Sequence, residues 1–216
     1  MTTNARLIIL NYTKIKDSAI VVHTLSREWG RRSFIVHLGK NASLAMFQPL
    51  GIVEADITEN TRSELWRATR FTQAWPLVSL RTDLYKNAIV LFMSEVLYRG
   101  VREGTAEEDL YGWCERSILT LDALEKDFSN FHLRFLLEYA QALGFAPSLE
   151  ALLPFAGDSL PQIKALLESS FSETLLLPLN GEQRNKIADI LLKYIGYHSE
   201  CSLNVQSLKV LREIFA

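Results

Sequence analysis

IVVHTLSREWGRRSFIVHLGK, residues 20–40, is the stretch whose reading decides the fold. Residues 20–25 and 33–38 are rich in Val, Ile, Phe and Thr, side chains that suit a pleated, half-buried surface. Between them lies the charged turn Ser26-Arg27-Glu28-Trp29-Gly30-Arg31-Arg32, in which Gly30 can take the positive φ that a tight hairpin needs. The spacing predicts a β-hairpin with Arg31 and Arg32 just past its turn, closed by Gly39-Lys40.

Working outward, residues 6–10 read as a strand before the hairpin, followed by a polar loop over 11–17. Residues 41–49 link the hairpin to a fourth strand over 50–58, and a fifth follows over 64–71. Five short strands in about 70 residues, with longer breaks after the first and third, predict a five-stranded oligonucleotide-binding (OB) barrel. In such a barrel a ligand lies across strands two and three, between the loop joining one to two and the loop joining four to five. Lys14, Lys16 and Arg62 fall in those loops, Arg27, Arg31 and Arg32 on the hairpin, and Lys40 at the end of the third strand. Tyr12 and Trp29 are read as loop aromatics available for base stacking, and Phe34 and Trp66 as core. Cations to neutralise phosphates, interleaved with rings to stack bases, make a sequence-tolerant single-strand site.

Pro76 marks a boundary, since proline and the restricted residue before it end elements. The expected organisation is therefore α+β: an N-terminal five-stranded OB-fold barrel over 1–76, then an α-helical domain over 77–216. Thr82 or Asp83 opens the first long helix. Thr105-Ala106-Glu107-Glu108 reads as a capping box for the second, and Asn130 caps FHLRFLLEYAQALG, which Gly144 ends. Shorter helices are expected over 148–155 and 160–170, and an apolar connection over 175–179. Asn180 with Gln183 starts another helix, and Asn204 the last.

Composition narrows the function. Two cysteines, Cys114 and Cys201, and four histidines without metal-ligand spacing give no metal site, and no cofactor is expected. No run reaches the roughly 20 apolar residues of a membrane span, so no membrane association is expected and the chain reads as cytoplasmic. Residues 1–75 hold ten Lys+Arg against six Asp+Glu, the remainder thirteen against nineteen, so the positive charge sits in the barrel half. No phosphate-binding glycine loop, zinc-protease motif or nucleophile elbow is present, so the chain is not expected to be an enzyme. His23 and His37, on paired strands, are the only imidazoles that a hydrolase reading could use. A rival in which the barrel binds only protein partners, with negligible DNA contact, fits the modest charge.

The order of these pieces resembles the bacterial recombination mediator family RecO. The family's "T-R-E-x-G-R" hairpin turn corresponds to Thr24-Leu25-Ser26-Arg27-Glu28-Trp29-Gly30-Arg31, and its strand end to Gly39-Lys40. Its "L-Q-P-L/F" segment corresponds to Phe47-Gln48-Pro49-Leu50. The C-terminus is also similar, in Leu192-Lys193-Tyr194, His198 and Ser207-Leu208-Lys209-Val210-Leu211. Many members carry a four-cysteine zinc site after "G-x-x-P-x-L". Gly144-Phe145-Ala146-Pro147-Ser148-Leu149 matches that segment, yet no cysteine follows until Cys201, so a zinc-free member is implied. The resemblance implies a DNA repair protein working at the nucleoid. It would bind single- and double-stranded DNA, anneal strands, and help load a RecA-type recombinase onto DNA coated by single-strand-binding protein (SSB), with RecR as partner. It also implies that the helical domain docks the acidic, apolar C-terminal tail of SSB. Phe131, Arg134 and Arg116 are the residues expected to do so, although Phe131 and Phe135, four apart, equally suit a core face.

Overall fold

The structure, a computed structural model, describes residues 2–39, 43–60, 63, 65–104 and 108–215. Lys40, Arg62 and most of the capping box at 105–108 therefore lie outside the described residues. The chain divides into two compact units, Met1–Val78 with Val101–Ile118, and Ser79–Gly100 with Leu119–Ala216. The break after Val78 falls close to Pro76, but the segment 101–118 belongs with the barrel, because its residues bond to β3 and to the outer side of β1.

In the first unit, β1 (Thr2–Lys16), β2 (Ala19–Ser26), β3 (Gly30–His37), β4 (Ile52–Thr58) and β5 (Trp66–Gln73) close into a barrel in the order β1-β2-β3-β5-β4. β1 is fifteen residues long because it serves two neighbours. Its first half pairs with β4 and its second half with β2, with a register shift between Ile9 and Asn11. The polar loop expected over 11–17 is thus mostly strand. Tyr12 and Lys14 pair with Val22 and Ile20 of β2, and apart from Tyr12 the side chains of this stretch stay exposed, so polar residues are tolerated there. Alternate residues of every strand point inward: Leu7 and Ile9, Ile20 and Val22, Phe34 and Val36, Val53, Ala55 and Ile57, and Ala68 form one buried cluster. Closure between β3 and β5 rests on the short parallel register Phe34↔Trp66 and Ile35↔Arg67.

The second unit is helical. α1 (Val78–Thr82) precedes α2 (Leu84–Gly100), whose start is capped by Asp83, its Oδ1 accepting from the Tyr85 and Lys86 amides at 2.8 and 3.0 Å. α3 (Glu108–Ala123), which belongs to the first unit as far as Ile118, is followed by α4 (Phe131–Ala142), α5 (Leu149–Ala156), α6 (Leu160–Glu168), α7 (Phe171–Leu176), α8 (Gly181–Ser199) and α9 (Ser207–Ile214). α2 packs on α4 and α9, and α8 on α4 and α5. The Asn180–Gln183 capping box forms as expected. α7 covers residues 171–174, where no element is expected, and the first two residues of the expected connection 175–179: Ser170 and Glu173 form a second capping box, a Ser-x-x-Glu signal present in the sequence.

Asn130 also differs from expectation, since its side chain does not cap α4. It is buried, and its amide donates to the carbonyls of Thr174 and Leu177 at 3.0 and 2.9 Å, satisfying the orphan C-terminal groups of α7 instead. No helix among the described residues is long and apolar enough to cross a membrane. Where a four-cysteine site would follow Leu149, the chain runs through α5 and α6, which bury Leu152, Ile163 and Leu166. The residues present do not fit a zinc site.

Candidate nucleic-acid interface

With Phe34 and Val36 pointing into the barrel, Ser33, Ile35 and His37 face outward on β3. On β2 the outward residues include Val21 and His23, which pair with Ile35 and Ser33, and on β1 Thr13 sits opposite Val21. Arg67 of β5 is in register with Ile35 and is exposed. This outer sheet face therefore carries a small apolar centre, Val21 and Ile35, flanked by a cation on one side and a polar row on the other. In that row Thr13 Oγ1 lies 3.3 Å from His23 Nε2, His23 Nδ1 lies 2.9 Å from Ser33 Oγ, and Ser33 Oγ donates to Glu103 Oε1 at 2.9 Å. Because the one hydroxyl proton of Ser33 goes to Glu103, His23 Nδ1 must carry a proton and donate to Ser33. Burial and the nearby charge of Arg31 push the His23 pKa down against the opposite pull of Glu103, so the ring is neutral at pH 7.

The expected contacts are distributed differently from their positions in the sequence. Lys14 and Lys16 sit by the β1–β2 turn, and Arg27 at the far end of β2, roughly 25 Å away at ~3.3 Å per residue. Lys14 pairs with Asp17 at 2.9 Å, both side chains well exposed, a contact of small energetic weight. Arg27 lies 5.6 Å from the Tyr111 ring centre. Arg31 is half-buried, with Nη1 donating to the Val101 carbonyl at 3.1 Å, and Arg32 lies 3.6 Å over the Trp66 ring.

Trp29 lies in the turn between β2 and β3, as expected, but its ring is partly buried. It meets Trp66 and Phe34 edge-on at 5.6 and 6.3 Å, packed on the barrel core. Tyr12, on β1 and not in a loop, packs on the same core. Both corrections have one cause: short barrels leave their ends open, and large rings near those ends are drawn over the exposed core. Arg67 is the residue that sequence reasoning missed. Its signal was present, since alternation in WRATRF puts it opposite Ala68.

The segment 101–118 also changes the charge. With it, the barrel unit holds twelve Lys+Arg against eleven Asp+Glu, so the excess seen in residues 1–75 nearly vanishes. Arg6 reaches Glu115 at 3.4 Å as well as Glu54 at 3.2 Å. Asn4 and Arg70 both bond Asp56 and hold its carboxyl below the usual range.

The expected tail-docking residues are occupied by structure. Phe131 is only 2 % exposed and meets Phe171 edge-on. Arg134 donates to Glu138 at 2.7 Å and to the Ser169 carbonyl at 3.1 Å, closing the C-terminal end of α6. Arg116 is exposed but belongs to the barrel unit. A cation beside an apolar groove does exist in the helical unit. A groove of about 630 Å³ between α5, α8, residues 201–206 and α9 has Leu192, Val205 and Leu208 in its lining. Lys193 and Lys209 also line it, and Tyr197 on its rim is 72 % exposed.

Comparison with known proteins agrees with this architecture. Residues 81–152 match the family model "Recombination protein O C terminal". Over 234 residues the chain is 29% identical to a DNA repair protein RecO of Phocaeicola vulgatus, covering 97% of each. It is 28% identical to that of Flavobacterium psychrophilum over the full length of both. With that of Porphyromonas gingivalis the identity is 31% over 166 residues, 73% of this chain and 65% of the relative. Barrel, helical unit and full-length relatives point the same way: the chain belongs to the RecO family.

Proposed function

We propose that this chain is a DNA repair and recombination mediator, a binding protein and not a catalyst, acting in the bacterial cytoplasm at the nucleoid. Its relatives are DNA repair proteins by name, and a role in DNA repair is the reading their full-length similarity supports. In the finer reading, the barrel binds single- and double-stranded DNA and anneals complementary strands. The protein then helps load a RecA-type recombinase onto SSB-coated strands together with RecR.

The observation that carries the DNA reading is the outer β2–β3 face, where Arg67 lies in register with Ile35 beside Val21 on a closed barrel. Lys14, Lys16 and Arg27 would supply phosphate contacts beside it, with Arg31 and Arg32 shaping the hairpin end, and Lys40 and Arg62 are the further cations that the sequence offers for DNA. The SSB tail, an acidic and apolar peptide, suits the groove lined by Lys193 and Lys209 better than the start of α4, where the rings are buried.

The test is fluorescence anisotropy of labelled single-stranded DNA at two salt concentrations, with wild type and Arg67→Ala/Lys16→Ala. Affinity should fall with salt, with a slope of about −0.7 per phosphate contact, and the double variant should bind more weakly with a shallower slope. Absence of salt-sensitive binding at low salt would overturn the DNA reading in favour of the protein adaptor. The near balance of charge in the barrel unit is the observation that favours that second reading.

A further inference from the structure

We propose that Ser33 and His23 form a backbone-phosphate subsite on the barrel face, and that Glu103 fills it as an internal competitor. The inference rests on the DNA reading of that face. The β2–β3 surface is where a strand would run, and the Ser33–His23 pair is one step along the ladder from Ile35–Val21. A hydroxyl donor supported by an imidazole N–H, with an arginine nearby, is the donor set that recognises an anionic oxygen. Here that oxygen is Glu103 Oε1, 2.9 Å from Ser33 Oγ.

The carboxylate is delivered by the backbone. The segment around Glu103 pairs in parallel with β3 at Arg31, the Gly104 amide donates to the Arg31 carbonyl at 2.9 Å, and the Val101 carbonyl accepts from the Arg31 guanidinium at 3.1 Å. Four residues thus cover the end of the β3 edge and set one negative charge on the face. A phosphate arriving at Ser33 has to displace that carboxylate and meets its repulsion on approach. The same contact leaves Ser33 and His23 satisfied while DNA is absent. Glu103 is exposed, so its exchange for a phosphate opens no part of the core.

The experiment measures single-stranded DNA affinity at low salt for wild type, Glu103→Ala, Glu103→Gln, Glu103→Ala/Ser33→Ala, and Glu182→Ala as a charge control on α8. Glu103→Ala should tighten binding about three- to tenfold, through loss of the repulsion between its carboxylate and the phosphate. Glu103→Gln should tighten it less, since it keeps the blocking group without the charge. Addition of Ser33→Ala should cancel the gain, and Glu182→Ala should leave affinity within about twofold of wild type. Equal tightening by Glu103→Ala and Glu182→Ala would reduce the effect to net charge and overturn the subsite. If Glu103→Ala binds like wild type while Arg67→Ala/Lys16→Ala weakens binding, the subsite fails and the DNA face stands. If neither wild type nor Glu103→Ala binds, both fail.

Discussion

The barrel unit and the helical unit each present arginines beside aromatic rings, and in neither unit do most of them form an open binding surface. In the barrel, Arg32 lies on Trp66 and Arg31 on the Val101 carbonyl, at the open end of a small core. In the helical unit, Arg134 closes α6 through the Ser169 carbonyl while Phe131 is buried against Phe171. The two units differ in what remains. The barrel keeps an exposed polar strip with one cation and one carboxylate, whereas the helical unit keeps an apolar groove edged by Lys193 and Lys209. Open strand surface suits an extended phosphate chain, and a groove between helices suits a short peptide end. The difference teaches that arginine–aromatic proximity in sequence is a poor guide to a site, because packing uses the same pair.

The comparison breaks most easily at its structural contacts. Asn130→Ala removes the buried donor from the carbonyls of Thr174 and Leu177, so it should destabilise the fold by about 2–3 kcal/mol, read by denaturant unfolding. A loss under 0.5 kcal/mol would mean that α7 is not held by this side chain.

Next in size is a pH effect confined to the helical unit. His132 is buried, and burial followed by the charge of Arg184 pushes its pKa from 6.5 down to about 3. The unfolded chain therefore takes up this proton first as pH falls. The contribution to stability is complete above about 6.5 and declines below it, by about 2 kcal/mol at pH 5. His132→Leu should flatten that part of the stability profile, and an unchanged profile would contradict the assignment.

Lys193→Glu/Lys209→Glu should weaken an acidic, apolar SSB-tail peptide about tenfold, near 1.4 kcal/mol, while single-stranded DNA affinity changes much less. Loss of both together would merge the two surfaces that the comparison separates. The smallest effect is Arg32→Ala, about 0.5–1 kcal/mol of stability from the lost ring contact, with DNA affinity within about twofold of wild type. A large loss of affinity without a loss of stability would return Arg32 to the interface.

Much of the architecture was legible in the residues. Period-two runs around Gly30 marked the hairpin, and the alternation of Val53, Ala55 and Ile57 marked β4. Asn180 with Gln183 marked the start of α8. Ser170 and Glu173 mark α7 by the same rule, although the apolar run that follows them reads as a connection. Arg67 was legible by alternation within its strand. The length of β1 was not, since Asn11, Thr13 and Lys14 look like a loop until β2 is beside them.

Local pattern in the sequence determined the strands, most helix starts, the hairpin, the lack of a cysteine set for zinc and the resemblance to RecO. These are properties of near neighbours, set by side-chain periodicity and by hydrogen bonds three or four residues apart. Only the tertiary structure decided which cations face solvent, that Trp29 and Tyr12 lie on the core, and that Glu103 reaches Ser33 across seventy residues of chain. Those outcomes depend on contacts between distant segments, whose partners are chosen by closure of the barrel and packing of the helices.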